Sequence, residues 1–476
     1  MPILRLVAEG VGPFEKLDLD LSDDNGNPHL GPHILAGVNG SGKTTVLKTI
    51  AWVLDRQGWG FDHHEWKHSL AGHRAPRAAV GVRLPDDRIG GEAVAALPYP
   101  QGPDTWTLFP QWLRTVGLMF PSITAEAYSA RRAIVPNKSP EDASWRFRDW
   151  GANPPFDVDV SWACPVAAYA PSPKLRYLAN PDTTKSPSSP FENALAFGET
   201  VRNDLVQAWL ANLHSRPAIA REMKQPAEKY VQALGRFESA LRLIYDDRLR
   251  LVPELEPSLH PELQVGSQRL NFSQLPDGVR ATIGWLSDFM MRQDLMQWDP
   301  HLNGKRPGLL LLDEIDAHLH PQWQRTLLPA VRKALPDVQI IVTSHSPFVI
   351  SSCPGSKVHL FQLDENGRAS LKQSCDAPVG ESVMTTLDGI FGIESRFDVE
   401  TERDLNEWNE LKKMEAVSRL DSKGAARLLK LSKELSRRSE ELNSIVGGPV
   451  RLPPGRKPSA GHSGRAKPAA RKARTR

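Results

Sequence analysis

One stretch limits the fold of this chain more than any other: Gly37-Val38-Asn39-Gly40-Ser41-Gly42-Lys43-Thr44-Thr45, which satisfies the spacing G-x-x-x-x-G-K-[ST]. The apolar run His33-Ile34-Leu35-Ala36 before it predicts the end of a buried strand. The spacing of Val46, Leu47, Ile50, Ala51 and Val53 after it predicts a helix. Strand, glycine turn and helix together make a phosphate cradle: glycines permit the backbone angles that turn several N–H groups toward one anion, at the positive end of the helix. Gly37, Asn39, Gly40, Ser41, Gly42, Lys43, Thr44 and Thr45 are therefore the expected nucleotide-binding residues. Lys43 is expected to reach the outer phosphates, and Thr44 to offer its hydroxyl to Mg²⁺.

A second cluster lies far downstream. Gly308-Leu309-Leu310-Leu311-Leu312-Asp313-Glu314 reads as a buried strand ending in two carboxylates, and Val338-Gln339-Ile340-Ile341-Val342-Thr343-Ser344-His345 as another ending in a histidine. Parallel α/β sheets keep ligands at the carboxyl ends of their strands, which is also where the phosphate loop emerges. Asp313 is placed to hold Mg²⁺, Glu314 to orient and deprotonate an attacking water, and His345 to contact the terminal phosphate. ATP and Mg²⁺ are the expected cofactors.

Charge is unevenly spread. The net charge is +3, yet residues 450–476 hold nine Lys or Arg and no acid, leaving 50 basic against 56 acidic residues elsewhere. That tail is too rich in Pro, Gly, Ala and charge to pack a core, and its expected disorder fits a nucleic-acid-binding arm and a solubilising tail equally. No apolar run approaches the ~18 residues that cross a bilayer, and the N-terminus lacks a leader pattern, so a cytoplasmic protein without membrane contact is expected. Cys164, Cys353 and Cys375 show no C-x-x-C spacing. His63, His64 and His68 read as a polar loop rather than a metal site.

Together these motifs resemble the ABC-type ATPases of the SMC, RecF and OLD-like group, within the AAA-labelled bacterial ATP-binding proteins. The resemblance rests on Gly37–Thr45 as Walker A, Leu275–Arg280 as signature, Leu309–Glu314 as Walker B, Ile315-Asp316-Ala317-His318-Leu319-His320-Pro321 as D-loop, and Thr343–Phe348 as switch-histidine segment. It implies a head-to-tail homodimer, or a higher even-numbered oligomer, in which each ATP is clasped by one subunit's Walker A and the other's signature, so that Asp277, Gly278 and Asp316 join the binding set. Two departures stand out: Leu275-Pro276 replaces the usual Leu-Ser of the signature, and no Q-loop glutamine follows Val166–Ala170, where Ser172-Pro173-Lys174-Leu175-Arg176 stands. The proline implies slow hydrolysis, or nucleotide acting chiefly as dimer glue. No Toprim-like acidic set follows Pro347, so a separate partner is expected to do any cutting. The C-terminal helices resemble ATPase subunits found beside HNH nucleases in Septu-like anti-phage systems. A RecF-like DNA-maintenance clamp and a non-hydrolysing ATP-gated scaffold are the alternatives.

The expected fold is α/β: a P-loop NTPase of ABC-ATPase type, its mixed sheet flanked by helices. Residues 1–58 and 300–375 form the core halves, 59–165 an insertion, 166–299 a helical lobe with the signature helix, 376–447 a C-terminal helical extension and 448–476 the tail.

Overall fold

The computed structural model describes residues 2–55, 61–62, 66, 76–82, 94–96, 132–134, 164–172, 175–246, 249–256, 258–298, 300–381, 383, 389, 397–417 and 419–447. The chain divides into two compact units, Met1–Gly392 and Ile393–Arg476. His63, His64 and His68, Pro173 and Lys174, and the basic tail lie outside the described residues.

The leucine run at 309–312 explains the architecture of the first unit. It forms β11 (Gly308–Leu312), flanked in parallel by β7 (Val166–Tyr169) and β12 (Val338–Thr343), with β3 (His33–Gly37) and β13 (Lys357–Leu363) parallel beyond β12. Side chains alternate across a strand, so a central strand covered on both faces must be apolar at every position. Leu309 and Leu311 accordingly join Leu35, Ile341 and the apolar face of helix α1 (Lys43–Leu54) in one core. Leu310 and Leu312 join Ile34, Ile340 and Val342 in the other, which includes α2 (Asn203–Glu222), α3 (Glu228–Tyr245), α4 (Asp277–Leu295), α5 (Pro321–Ala334) and the single turn α6 (Pro347–Ile350) that follows β12.

An antiparallel wing completes the sheet. β1 (Ile3–Val11) pairs with β2 (Phe14–Asp20) and β4 (Arg77–Val82), and β13 turns back as β14 (Ala369–Asp376). β5 (Val94–Ala96) and β6 (Arg132–Ile134) form the far edge, so the order of all eleven strands is β6-β5-β4-β1-β2-β14-β13-β3-β12-β11-β7. Two details differ from the sequence-based division. Strands β4 to β6 arise from the stretch expected to be an insertion, and β7 belongs to the main sheet instead of the helical lobe. That lobe also carries a three-stranded sheet of β8 (Leu249–Glu254), β9 (His260–Val265) and β10 (Gln268–Leu270). Its strands are short and partly exposed, and Pro253 and Pro261 interrupt the alternation by which a strand is recognised.

A buried polar network fastens α4 to the core. The Tyr169 hydroxyl donates to Asp288 Oδ2 at 2.7 Å, and Arg292 Nε donates to the same oxygen at 2.6 Å. Arg292 also reaches the carbonyls of Pro190 and Glu192, and Thr200 Oγ1 donates to the Ala168 carbonyl at 2.7 Å. Burial, reinforced by the Asp288 charge, pushes the Tyr169 phenol well above its ordinary range.

A buried histidine pair sits at the opposite edge of the parallel strands from the phosphate loop. His33 Nδ1 lies 3.0 Å from His359 Nε2, and His359 Nδ1 lies 2.8 Å from Ser374 Oγ. Burial pushes His359 down to about 4 and His33 well below the usual histidine range.

The second unit is a small helical body. α7 (Val399–Ala416) and α8 (Ser422–Arg438) run antiparallel, since Glu407 pairs with Arg427, Trp408 Nε1 donates to Ser432 Oγ, and Asp404 pairs with Arg438. Leu405, Trp408, Leu428, Leu431 and Leu435 make its core with Leu442 of the short α9 (Glu440–Ile445). Asp398 and Asp421 cap the two long helices by accepting from Thr401 N and Gly424 N.

Two outcomes follow for stability. Asp288→Ala leaves the Arg292 guanidinium buried without its counter-ion, and is expected to destabilise the first unit by about 3–5 kcal/mol, read as a lowered denaturant midpoint. The depressed histidines favour the neutral form in the folded state, so their contribution is complete above the unfolded value of about 6.5 and is lost as pH falls toward about 4. Thermal unfolding across that window is expected to show a falling Tm, with a shallower fall in His359→Gln.

Candidate nucleotide-binding site

The phosphate loop has the backbone its sequence requires. Gly37, Gly40 and Gly42 all have positive φ, and a Cβ on Gly42 would stand 2.5 Å from the Phe14 ring. Gly42 is the N-cap of α1 and offers no side-chain cap, so the N–H groups of the first turn remain available to an anion. Lys43 is buried and folds back over the loop, donating to the carbonyls of Gly37 at 3.1 Å and Val38 at 2.9 Å. Desolvation lowers its pKa, against the pull of Asp313, Glu314 and Asp316. Ser41, also in the loop, is fully buried and does not line the cleft; its Oγ has no hydrogen-bond partner among the described residues.

Two strands, β11 and β12, bring their ends to this loop. Thr44 Oγ1 donates to both oxygens of Asp313, at 2.9 and 3.0 Å, and Thr343 Oγ1 donates to Asp313 Oδ1 at 2.7 Å. The same Thr343 hydroxyl accepts from the Glu314 N–H at 2.7 Å. Glu314 has φ 47, an uncommon value for a non-glycine residue, so its side chain leaves the line of β11. Thr343 thus holds the Asp313 carboxylate and the Glu314 backbone with a single hydroxyl.

The result is a cleft of about 300 Å³ lined by Pro13, Asn39, Gly40, Gly42, Lys43, Thr44, Thr45, Glu314, Thr343 and His345. His345 is half-buried; desolvation and the Lys43 charge lower its pKa, partly offset by the three acids, so it presents a neutral imidazole at pH 7. A hydroxyl and a carboxylate in direct contact form the oxygen donor set that suits a hard divalent cation, so the Thr44–Asp313 pair fits Mg²⁺.

Asp277, Gly278 and Asp316 do not line this cleft. Pro276 is the N-cap of α4 and contributes no side-chain bond, while Asp277, exposed at the first helical position, pairs with Arg280. Gly278 packs on the D-loop: a Cβ there would lie 2.5 Å from the His318 carbonyl oxygen. Asp316 Oδ1 is buried and unpartnered.

Sequence reasoning passes over two residues. Thr343 enters it only as part of the switch segment, although a hydroxyl ending a strand beside an acidic pair is a visible signal. Gln324, one turn into α5, donates to the carbonyls of Asp316 at 3.2 Å and Leu319 at 3.0 Å, and accepts from Ser346 Oγ at 2.8 Å, joining the D-loop to the residue after His345. Only the folded arrangement reveals that bridge.

Fold and cleft fit an α/β P-loop NTPase. Residues 175–351 match the family profile "AAA domain, putative AbiEii toxin, Type IV TA system", a span that holds the signature, Walker B, D-loop and switch histidine. The chain is 32% identical over 124 residues to the Septu protein PtuA of Bacillus thuringiensis, covering 24% of this chain and 31% of that one. It is 28% identical over 134 residues to the retron Vc95 probable ATPase of Vibrio cholerae serotype O1 biovar El Tor, covering 28% and 25% respectively. The matches thus span about a third or less of the length of these curated relatives. The SMC head domain from Thermotoga maritima superposes with a TM-score of 0.40 at 15% identity, over 80% of this chain and all of that one. Over residues 175–351 the chain is thus similar to AAA-labelled ATPases, among them the Septu and retron components. Among the described residues, no helix is long and apolar enough to cross a membrane.

Thr343→Val keeps the volume of the side chain but removes the hydroxyl shared by Asp313 and Glu314. Steady-state phosphate release should fall by about 10- to 100-fold, with nucleotide affinity in EDTA changed by less than about threefold and activity restored in Thr343→Ser.

Proposed function

We propose that this chain is a Mg-ATP-operated switch: nucleotide closes two heads on each other, and slow hydrolysis reopens them. The observation that carries the reading is the Thr44–Asp313–Thr343 chain of hydrogen bonds, which joins the phosphate loop to the acidic strand end at 2.7–3.0 Å. Thr44 and Asp313 would hold Mg²⁺, which when bound neutralises charge on the β- and γ-phosphate oxygens. Lys43 would leave the loop carbonyls for those oxygens, Glu314 would orient and deprotonate the attacking water, and neutral His345 would hydrogen-bond the γ-phosphate.

Closure on a second copy is supported by where the signature lies. Asp277 and Gly278 open α4 outside the lining of their own cleft; Gly278 is buried against the D-loop, while Pro276 and Asp277 are exposed at the helix N-terminus, where a nucleotide held by another subunit could meet them. Similarity to Septu and retron components favours a role in anti-phage defence, with the switch acting on a nuclease or nucleic-acid partner. A second reading has its own support: Pro276 offers no hydroxyl at the signature helix N-terminus, which favours an ATP-gated scaffold that turns over very slowly or not at all.

Lys43→Ala should abolish nucleotide binding in equilibrium titration. Glu314→Gln should bind Mg-ATP, shift toward a dimer in sedimentation, and lose at least about 100-fold in phosphate release. Turnover unchanged in Glu314→Gln would remove that residue from its role. An ATP-dependent dimer with no turnover in the unmodified protein would favour the scaffold.

A further inference from the structure

The face of α8 turned away from its own core carries a row of cations, with Leu429 exposed nearby. Lys423, Lys430, Lys433 and Arg437 fall at intervals of seven, three and four residues, the spacing of a single helix face, and all four are exposed. They span about 21 Å at the helical rise of 1.5 Å per residue. The opposite face is accounted for: Leu428, Leu431 and Leu435 are buried in the core of the unit, and Arg427 and Arg438 turn toward α7 to pair with Glu407 and Asp404. α7 carries six acids to three basic residues, whereas α8 carries six basic residues to one acid, Glu434. Those two inward pairs answer α7's acids and leave the outer stripe over. Glu434 approaches Lys430 at 3.8 Å, Asp421 is occupied in capping, and Glu440 and Glu441 lie beyond the far end in α9. Lys423, Lys433 and Arg437 make no ion pair among the described residues.

We propose that this stripe is a docking surface for the phosphate backbone of duplex DNA. A rigid row of cations about 21 Å long matches a stiff polyanion, gaining affinity through counterion release. Single strands are ordinarily held by aromatic platforms, and this face has none: the aromatics of the described part of the unit are Phe397 and Trp408, both packed with its core. The surface supplies the nucleic-acid partner of the proposed switch, and its purpose rests on that reading, although binding itself does not require nucleotide.

The test is fluorescence anisotropy of a labelled duplex of about 30 base pairs with the full chain, over a salt series and without nucleotide. In the fourfold variant Lys423→Gln, Lys430→Gln, Lys433→Gln and Arg437→Gln, affinity at about 0.1 M salt should fall at least about tenfold. The slope of log K against log salt should shrink by about 3–4, roughly one for each phosphate left without its cation. Far-UV helicity and basal phosphate release should be unchanged, because the substituted side chains are exposed and remote in sequence from the cleft. A chain ending at residue 447, which keeps every described element, should retain the stripe-dependent part of the slope. The proposal is overturned if the fourfold variant binds like the unmodified chain, if removing residues 448–476 alone accounts for all binding, or if single-stranded DNA binds more tightly than the duplex. Loss of ATP turnover in Glu314→Gln with intact duplex binding bears on the switch, so the two readings fail separately.

Discussion

The Asp313 carboxylate is the joint on which the site depends. It takes hydrogen bonds from Thr44 at the start of α1 and from Thr343 at the end of β12, so three segments far apart in sequence meet within 3.0 Å of one side chain. An acid at the end of a buried strand would ordinarily be costly. Here two hydroxyls satisfy it, and the arrangement is stable because the leucines of β11 leave that strand no freedom to slide: a one-residue slip would exchange the two cores.

From that joint the geometry spreads in two directions. Along the chain, the Glu314 N–H is held by the same Thr343 hydroxyl, and the following residues turn through the D-loop with His318 also at positive φ. Across the sheet, Gln324 ties the D-loop to Ser346, beside His345. A change in how His345 is held therefore has a short polar path to the D-loop without passing through the hydrophobic core. The Tyr169–Asp288–Arg292 network plays a comparable part for α4, anchoring the helix that bears Gly278 to the strand beside β11.

Much of this is legible in the sequence, and the reasons differ from element to element. Gly37, Gly42 and Lys43 are recognisable because their chemistry admits few substitutes at that spacing. The leucine run before Asp313 is recognisable because a strand covered on both faces has no polar positions. Both signals are local. β4 to β6 pass for part of an insertion because pairing at a sheet edge leaves little trace in a region rich in Trp, Pro and Gly. β8 to β10 escape notice because prolines and exposed positions blur their alternation. Gln324 illustrates a third kind of loss: its role depends on two carbonyls and one hydroxyl brought together by folding, and no spacing rule encodes that.

The packing of Gly278 on the His318 carbonyl carries a consequence of its own. With no room for even a methyl group between them, the first turn of α4 and the D-loop behave as one solid edge. Whatever meets that edge is met by both segments at once, and a displacement of either is handed to the other without slack. The missing serine at Pro276 then matters less as an absent hydroxyl than as a change in the texture of a surface whose shape is set from behind.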